Sequence, residues 1–151
     1  MYQRILVPLD GSDTAQLGLV EAINLAKSLK SRVRLIHIIN DATLITPYTT
    51  GSAFEVLLRR AQDYGASVLQ AAEAAVRDAG IAVDTQLIEA NGGLAGDEIV
   101  RAAVAWPADL IVCGTHGRRG IRRLLMGSDA ETVVRQCPVP VLLVRARSGK
   151  T

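Results

Sequence analysis

The chain has almost no aromatic residues: one Phe, three Tyr and one Trp among 151. Its core must then be aliphatic, built from Ala, Val, Leu and Ile, which favours a layered α/β fold over a β-sandwich. Cysteine is nearly as scarce. Cys113, closing an apolar run, and Cys137, beside Pro138, have no metal-ligand spacing and build no disulfide framework, so a reducing compartment is the natural setting. No stretch approaches the roughly 18 consecutive apolar residues of a membrane span. The opening M-Y-Q-R-I-L-V-P-L-D meets Pro8, Asp10 and Gly11 too soon for a signal segment. A soluble, cytoplasmic protein without membrane insertion is expected. Charge of one sign is also missing: the formal net charge is +2, and basic and acidic residues are interspersed except between Arg118 and Arg123. That argues against nucleic acid as a partner. Neither G-x-x-x-x-G-K-[ST] nor G-x-G-x-x-G occurs, which excludes a standard P-loop and a dehydrogenase fingerprint.

What is present suits one compact domain, over residues 1–147, with a short tail at 148–151. Apolar runs at Arg4–Leu9, Val33–Ile39, Ala82–Ile88, Leu110–Gly114 and Val139–Arg145 are mostly continuous, as in strands buried on both faces. Helical patterns lie between them. The first is expected over Ser12–Leu29. The second carries an apolar stripe of Leu58, Ala61, Gly65, Val68, Ala72, Ala75 and Ala79 and ends at Gly80. The third runs from about Gly96 to Trp106 before Pro107, and the fourth covers Ser128–Gln136 before Pro138. Strand and helix alternate throughout. With right-handed crossovers this order makes a parallel, doubly wound sheet, and such sheets place ligands outside the carboxyl ends of their strands where the strand order reverses. Asp10, Ile38 and Gly114 all fall at strand ends.

The stretch from Gly114 to Ser128, G-T-H-G-R-R-G-I-R-R-L-L-M-G-S, follows the strand Leu110–Gly114 and opens a helix. Closely spaced glycines leave backbone N–H groups free to converge on an anion, and a Gly-Ser at a helix start adds further donors and a positive dipole end. It reads as a phosphate cradle. The polar, turn-rich segment from Asp41 to Ala53 is too long for a tight connection, and reads either as a lid or as an irregular loop entering a helix.

The spacing Gly114-x-x-Gly117, nine residues, then Gly127-Ser128 resembles that of the universal stress protein family, in its nucleotide-binding branch. The resemblance extends to the opening I-L-V-P-L-D-G-S, to L-I-H-I-I, to A-D-L-I-V-C-G-T-H-G and to the closing M-G-S-D-A-E-T-V-V-R-Q-C-P-V-P-V-L-L-V-R. It implies a five-stranded Rossmann-like sheet of order 3-2-1-4-5 that binds ATP, or ADP or AMP. It also implies a homodimer and a role in stress response as a sensor or regulator read by a protein partner, with at most slow hydrolysis. By the resemblance, Pro8, Asp10 and Ile38 match adenosine-contacting positions, and Gly114, Gly117, Gly127 and Ser128 match ribose and phosphate positions. His116 matches a position in the glycine turn. The C-terminal strand, Val141–Val144, matches a two-fold dimer contact.

The residues themselves carry competing roles. Asp10 before Gly11 suits a turn as well as a ligand contact. Ser128 opens S-D-A-E, a capping box in which its hydroxyl would accept from the N–H of Glu131 while Glu131 bonds back; a hydroxyl shared between phosphate and cap is expected. Asp129 replaces the uncharged residue common in relatives. Its charge would repel a phosphate oxygen unless a divalent cation such as Mg2+ intervened. Of Arg118, Arg119, Arg122 and Arg123, one or two are expected to reach a phosphate with their planar forks, Arg118 first. His116 has no evident acidic or nucleophilic partner, so no catalytic residue is assigned. His37 reads as a satisfied core histidine and Cys113 as a small buried hydrophobe. Two rival functions stay open: a nucleotide hydrolase on the same fold, and a nucleotide-free interaction module working through its C-terminal strand.

Overall fold

The computed structural model describes residues 1–47, 49–115 and 126–146. In chain order they form β1 (Arg4–Pro8), α1 (Asp13–Leu29), β2 (Arg32–Ile39), α2 (Gly51–Asp78), β3 (Val83–Glu89), α3 (Ala95–Ala105), β4 (Leu110–Gly114), α4 (Ser128–Gln136) and β5 (Val141–Val144). A 3-10 turn at Asp41–Leu44 lies between β2 and α2. The strands make one parallel sheet in the order β3-β2-β1-β4-β5, as the alternation and the resemblance led us to expect.

Successive side chains of a strand point to opposite faces, so the sheet sorts its apolar residues into two cores. Ile5 and Val7 of β1, Val33 and Leu35 of β2, and Val112 of β4 pack with Leu19, Ala22 and Ala26 of α1 and with Leu69, Ala72 and Val76 of α2. Leu6, Ile36 and Ile111 face the other way, onto Ile99, Ala102 and Ala103 of α3 and Val133 of α4. This pairing of α1 with α2 and of α3 with α4 follows from handedness. The chain moves outward from β1 through β2 to β3, then crosses to β4 and continues to β5, and right-handed crossovers in opposite directions put their helices on opposite faces. The order therefore reverses between β1 and β4.

Local chemistry sets the helix ends. Ser12 Oγ accepts from the N–H of Ala15 at 3.2 Å and caps α1, and Lys30 closes it in the left-handed conformation, φ 56°. In α2 the buried stripe is Gly65, Leu69, Ala72 and Val76. The expected Ala75 is exposed and Val68 only half-buried, because the helix turns its Leu69–Val76 edge onto the sheet. The helix also starts at Gly51, so the end of the Asp41–Ala53 segment is a helix entry; the start of that segment is the 3-10 turn. Among the strands β3 departs most from a buried run: it is an edge strand with Thr85, Gln86 and Leu87 exposed.

Candidate functional site

The carboxyl ends of β1, β2 and β4 meet at the reversal point. Pro8 ends β1, pairs in register with Ile36, and lies half-buried on the same face as Leu6 by period-two alternation. Asp10 follows in the turn to α1, where its Oδ1 accepts from the N–H of Ser12 at 2.9 Å; the turn role anticipated for Asp10 is real. Ile38, near the end of β2, is half-buried against the α3/α4 core. Its neighbour His37 faces the other core and is 5% exposed, its Nδ1 lying 2.8 Å from the Leu9 carbonyl oxygen, a satisfied core histidine. Tyr64 packs edge-on to His37, and its hydroxyl donates to the Asp10 carbonyl at 3.4 Å. The β1–α1 turn is therefore held from beneath by two side chains that sequence alone did not associate with it.

On the β4 side, Gly114 lies directly against the first turn of α1. A Cβ there would come within 2.7 Å of the Thr14 carbonyl carbon and 2.9 Å of the Ala15 nitrogen, so only glycine lets the strand end and the helix start approach this closely. Thr115 then donates its N–H to the Val144 carbonyl at 2.9 Å and accepts at its own carbonyl from the N–H of Gly127 at 2.8 Å. The chain thus leaves β4 and returns to α4 at one point, bringing together Gly114 and Gly127, thirteen positions apart in sequence. His116, Gly117 and Arg118, with Arg119, Arg122 and Arg123, lie outside the described residues.

The helix α4 begins one residue earlier than a capping box requires. Gly127 is its N-cap, Ser128 is its first residue, and Glu131 donates its N–H to the Gly127 carbonyl. The expected Ser128–Glu131 box therefore does not form: Ser128 is the first helical residue rather than the cap and is exposed, while Glu131 pairs with Arg135 at 2.7 Å. The first-turn N–H groups of α4 have no intrahelical acceptor. Asp129 does not add its charge to that turn alone. Its Oδ1 accepts from the N–H of Gly96 at 3.1 Å, supplying to α3 the cap that Leu94, an apolar N-cap residue, lacks. Beneath the strand end, burial pushes the Cys113 thiol up to about 11, so it stays neutral and apolar in character.

Sequence reasoning also passed over Asn40. It stands just beyond β2 with its Oδ1 buried and without a hydrogen-bond partner among the described residues. The only signal was a polar residue two places after Ile38. No group of three or more His, Cys, Asp or Glu side chains suited to a metal ion occurs among the described residues. A cavity of about 220 Å³ opens between α1 and α2, lined by Leu9, Gly11, Ser12, Gln16, Val68 and Ala72. It is walled mainly by small apolar groups, whereas Asp10, the end of β4 and the Thr115–Gly127 closure lie at the carboxyl ends of the strands, where the candidate site is taken to be.

A doubly wound parallel sheet with rim loops converging on its reversal point defines a Rossmann-like α/β protein. The sequence profile of the universal stress protein family matches residues 1–145, and the chain belongs to that family. Universal stress protein MJ0531 of Methanocaldococcus jannaschii is 32% identical over 145 residues, covering 96% of this chain and 83% of that protein. Among solved structures, MJ0577 of the same organism matches with a TM-score of 0.84 at 25% identity, over 99% of each chain. A universal stress protein from Archaeoglobus fulgidus in complex with dAMP matches with a TM-score of 0.65 at 24% identity, over 95% of this chain and 98% of that one.

Proposed function

We propose that the chain binds an adenine nucleotide, ATP or its relatives ADP and AMP, across the reversal point between β1 and β4. The observation that carries this reading is the Thr115–Gly127 closure, which sets the end of β4 beside the open N-terminus of α4. An anion there meets first-turn N–H groups that lack an intrahelical acceptor, and the positive end of a helix dipole. In this reading Pro8, the Asp10 carboxylate and the Ile38 backbone receive the adenosine, and Gly114 and Gly117 admit the ribose. Gly127 and the Ser128 hydroxyl, uncommitted to the cap, receive the phosphates. Arg118 reaches the outer phosphates and His116 lines the glycine turn. Asp129, turned toward Gly96, adds negative charge close to that end, which Mg2+ bound with the nucleotide offsets. An adenine nucleotide is also what the Archaeoglobus fulgidus protein of the same fold holds.

The same reading makes the protein a cytoplasmic stress-response sensor or regulator rather than an efficient enzyme, with hydrolysis slow at most. Occupancy shifts a conformational equilibrium that a regulatory protein partner reads. The half-exposed edge Val141–Val144 pairs two copies into a homodimer. Isothermal titration of the full chain with ATP in the presence of Mg2+ tests the binding claim. Saturable heat that disappears in Gly127→Val is expected, and absence of any ATP affinity refutes it.

A further inference from the structure

The turn that joins β1 to α1 carries the Asp10 carboxylate, and its backbone is tied down from three sides. The sheet fixes Leu9: its N–H donates to the Ile36 carbonyl at 2.8 Å, and its own carbonyl lies 2.8 Å from Nδ1 of the buried His37. On the far side Ser12 caps α1 and donates its N–H to Asp10 Oδ1. Between them stands Gly11 at φ 82°, the residue type with the greatest backbone freedom. The cavity of about 220 Å³ between α1 and α2 is lined by Leu9, Gly11, Ser12 and Val68, so the turn has open space on that side. Tyr64, one helical turn before Val68 on α2, is what reaches it. Its hydroxyl donates to the Asp10 carbonyl at 3.4 Å, and its ring stands edge-on to His37 with the centroids 5.9 Å apart. A Cβ at Gly11 would overlap the Tyr64 hydroxyl oxygen, so the glycine is required both by its φ and by the room that Tyr64 takes.

We propose that Tyr64 is a positioning residue for the nucleotide, acting through Asp10: by holding the Asp10 carbonyl, its hydroxyl fixes the peptide from which the carboxylate is presented. This rests on the nucleotide-binding reading above, in which Asp10 receives the adenosine, and names the group that decides how firmly Asp10 is presented. The Asp10–Ser12 bond orients the carboxylate relative to α1 alone. The plane of the Asp10–Gly11 peptide is a separate degree of freedom, and glycine beside an open cavity does little to restrict it. A site whose competent conformation is populated only part of the time binds more weakly by that fraction. With the hydroxyl in place the turn is held in one conformation before the ligand arrives, and the ordering cost does not fall on binding. The α2 helix, which contributes no residue to the proposed nucleotide contacts, thereby sets the affinity of the site.

The test removes the hydroxyl alone. Tyr64→Phe keeps the ring against His37, and the full chain and this variant are titrated calorimetrically with ATP and Mg2+. The variant should bind about two- to fivefold more weakly, the value of one neutral hydrogen bond. Amide exchange without nucleotide separates positioning from a general loss of stability. The Ser12 N–H, bonded to Asp10, should exchange faster in Tyr64→Phe, whereas the Leu9 N–H, bonded to Ile36 of the sheet, should keep its rate. Faster exchange at both amides overturns the assignment, because it marks Tyr64 as a core residue only. Weaker ATP binding with Ser12 exchange unchanged also overturns it, because the hydroxyl then acts on the ligand and not through Asp10. Wild type that binds no ATP overturns this proposal together with the reading it rests on, whereas equal affinity in wild type and Tyr64→Phe overturns this one alone.

Discussion

Replacing Gly114 by alanine tests the contact on which both the fold and the proposed site depend. The added Cβ would lie 2.7 Å from the Thr14 carbonyl carbon, 2.8 Å from its oxygen and 2.9 Å from the Ala15 nitrogen. Carbon atoms pack comfortably at about 3.5–4.0 Å, so something must move by about 1 Å. Neither side yields easily. The first turn of α1 is held by the Ser12 cap on Ala15 and by the Gln16 N–H bond to the Ser12 carbonyl at 3.0 Å, and the Asp10 carboxylate holds Ser12 in turn. The strand end is held in register with β5, Gly114 opposite Val144. Overpacking against backbone belongs at the upper end of the usual range, about 3 kcal/mol, offset by about 0.5–1 kcal/mol from the reduced freedom of the unfolded chain. A net loss of about 2 kcal/mol lowers the melting temperature by about 4–8 °C in a domain of this size. Gly51→Ala is the internal control, since a Cβ at Gly51 meets nothing within 4 Å and alanine favours the helix it opens. Calorimetric or circular-dichroism melts of the two variants decide the matter. A Gly114→Ala protein that melts within about 1 °C of wild type would refute the claim that β4 and α1 meet at van der Waals limits.

Two further outcomes follow from the site. Because burial raises the Cys113 thiol from 9.0 to about 11, its stabilising contribution is complete below pH 9 and is lost as pH rises toward 11. The loss runs at up to about 1.4 kcal/mol per pH unit, since the unfolded chain ionises first; melting temperatures of Cys113→Ala should therefore fall less steeply than wild type over that window, and parallel slopes would contradict it. Asp129→Asn keeps an acceptor for Gly96 while removing the charge. ATP affinity without Mg2+ should rise several-fold, about 1 kcal/mol, while the melting temperature stays close to wild type; titrations with EDTA present check this, and unchanged affinity refutes a charge effect of Asp129 on the phosphates.

Elements with strong local signals were legible before the fold was in hand. The strand Leu110–Gly114 and the helix Ser128–Gln136 have the bounds that the apolar run, the Gly-Ser start and Pro138 indicate. Where two local signals compete, the reading was less secure. T-P-Y-T-T-G-S looks like a turn, yet α2 starts at its glycine, because a helix of 28 residues gains enough from later packing to extend through a poor first turn. S-D-A-E looks like a capping box, yet Gly127 takes the cap. The N–H of Gly127 is bound by the Thr115 carbonyl, which holds the glycine at the helix start and leaves Ser128 inside it.

By itself the sequence determined the alternation of strand and helix, the aliphatic character of the core and, through the handedness of parallel crossovers, the rim to which Asp10, Ile38 and Gly114 belong. These depend on composition, periodicity and chain chirality, which are local properties. Only the tertiary structure decided which polar atoms meet there: the Asp129 carboxylate and the Gly96 N–H, the Thr115 carbonyl and the Gly127 N–H, and the Asn40 oxygen that meets none of the described residues. Such pairings join residues from separate elements, and their distances are set by how closely α3 packs on α4 and β4 on α1. A few tenths of an ångström at Gly96 or Gly114 determine them, and no pattern along the chain encodes that spacing.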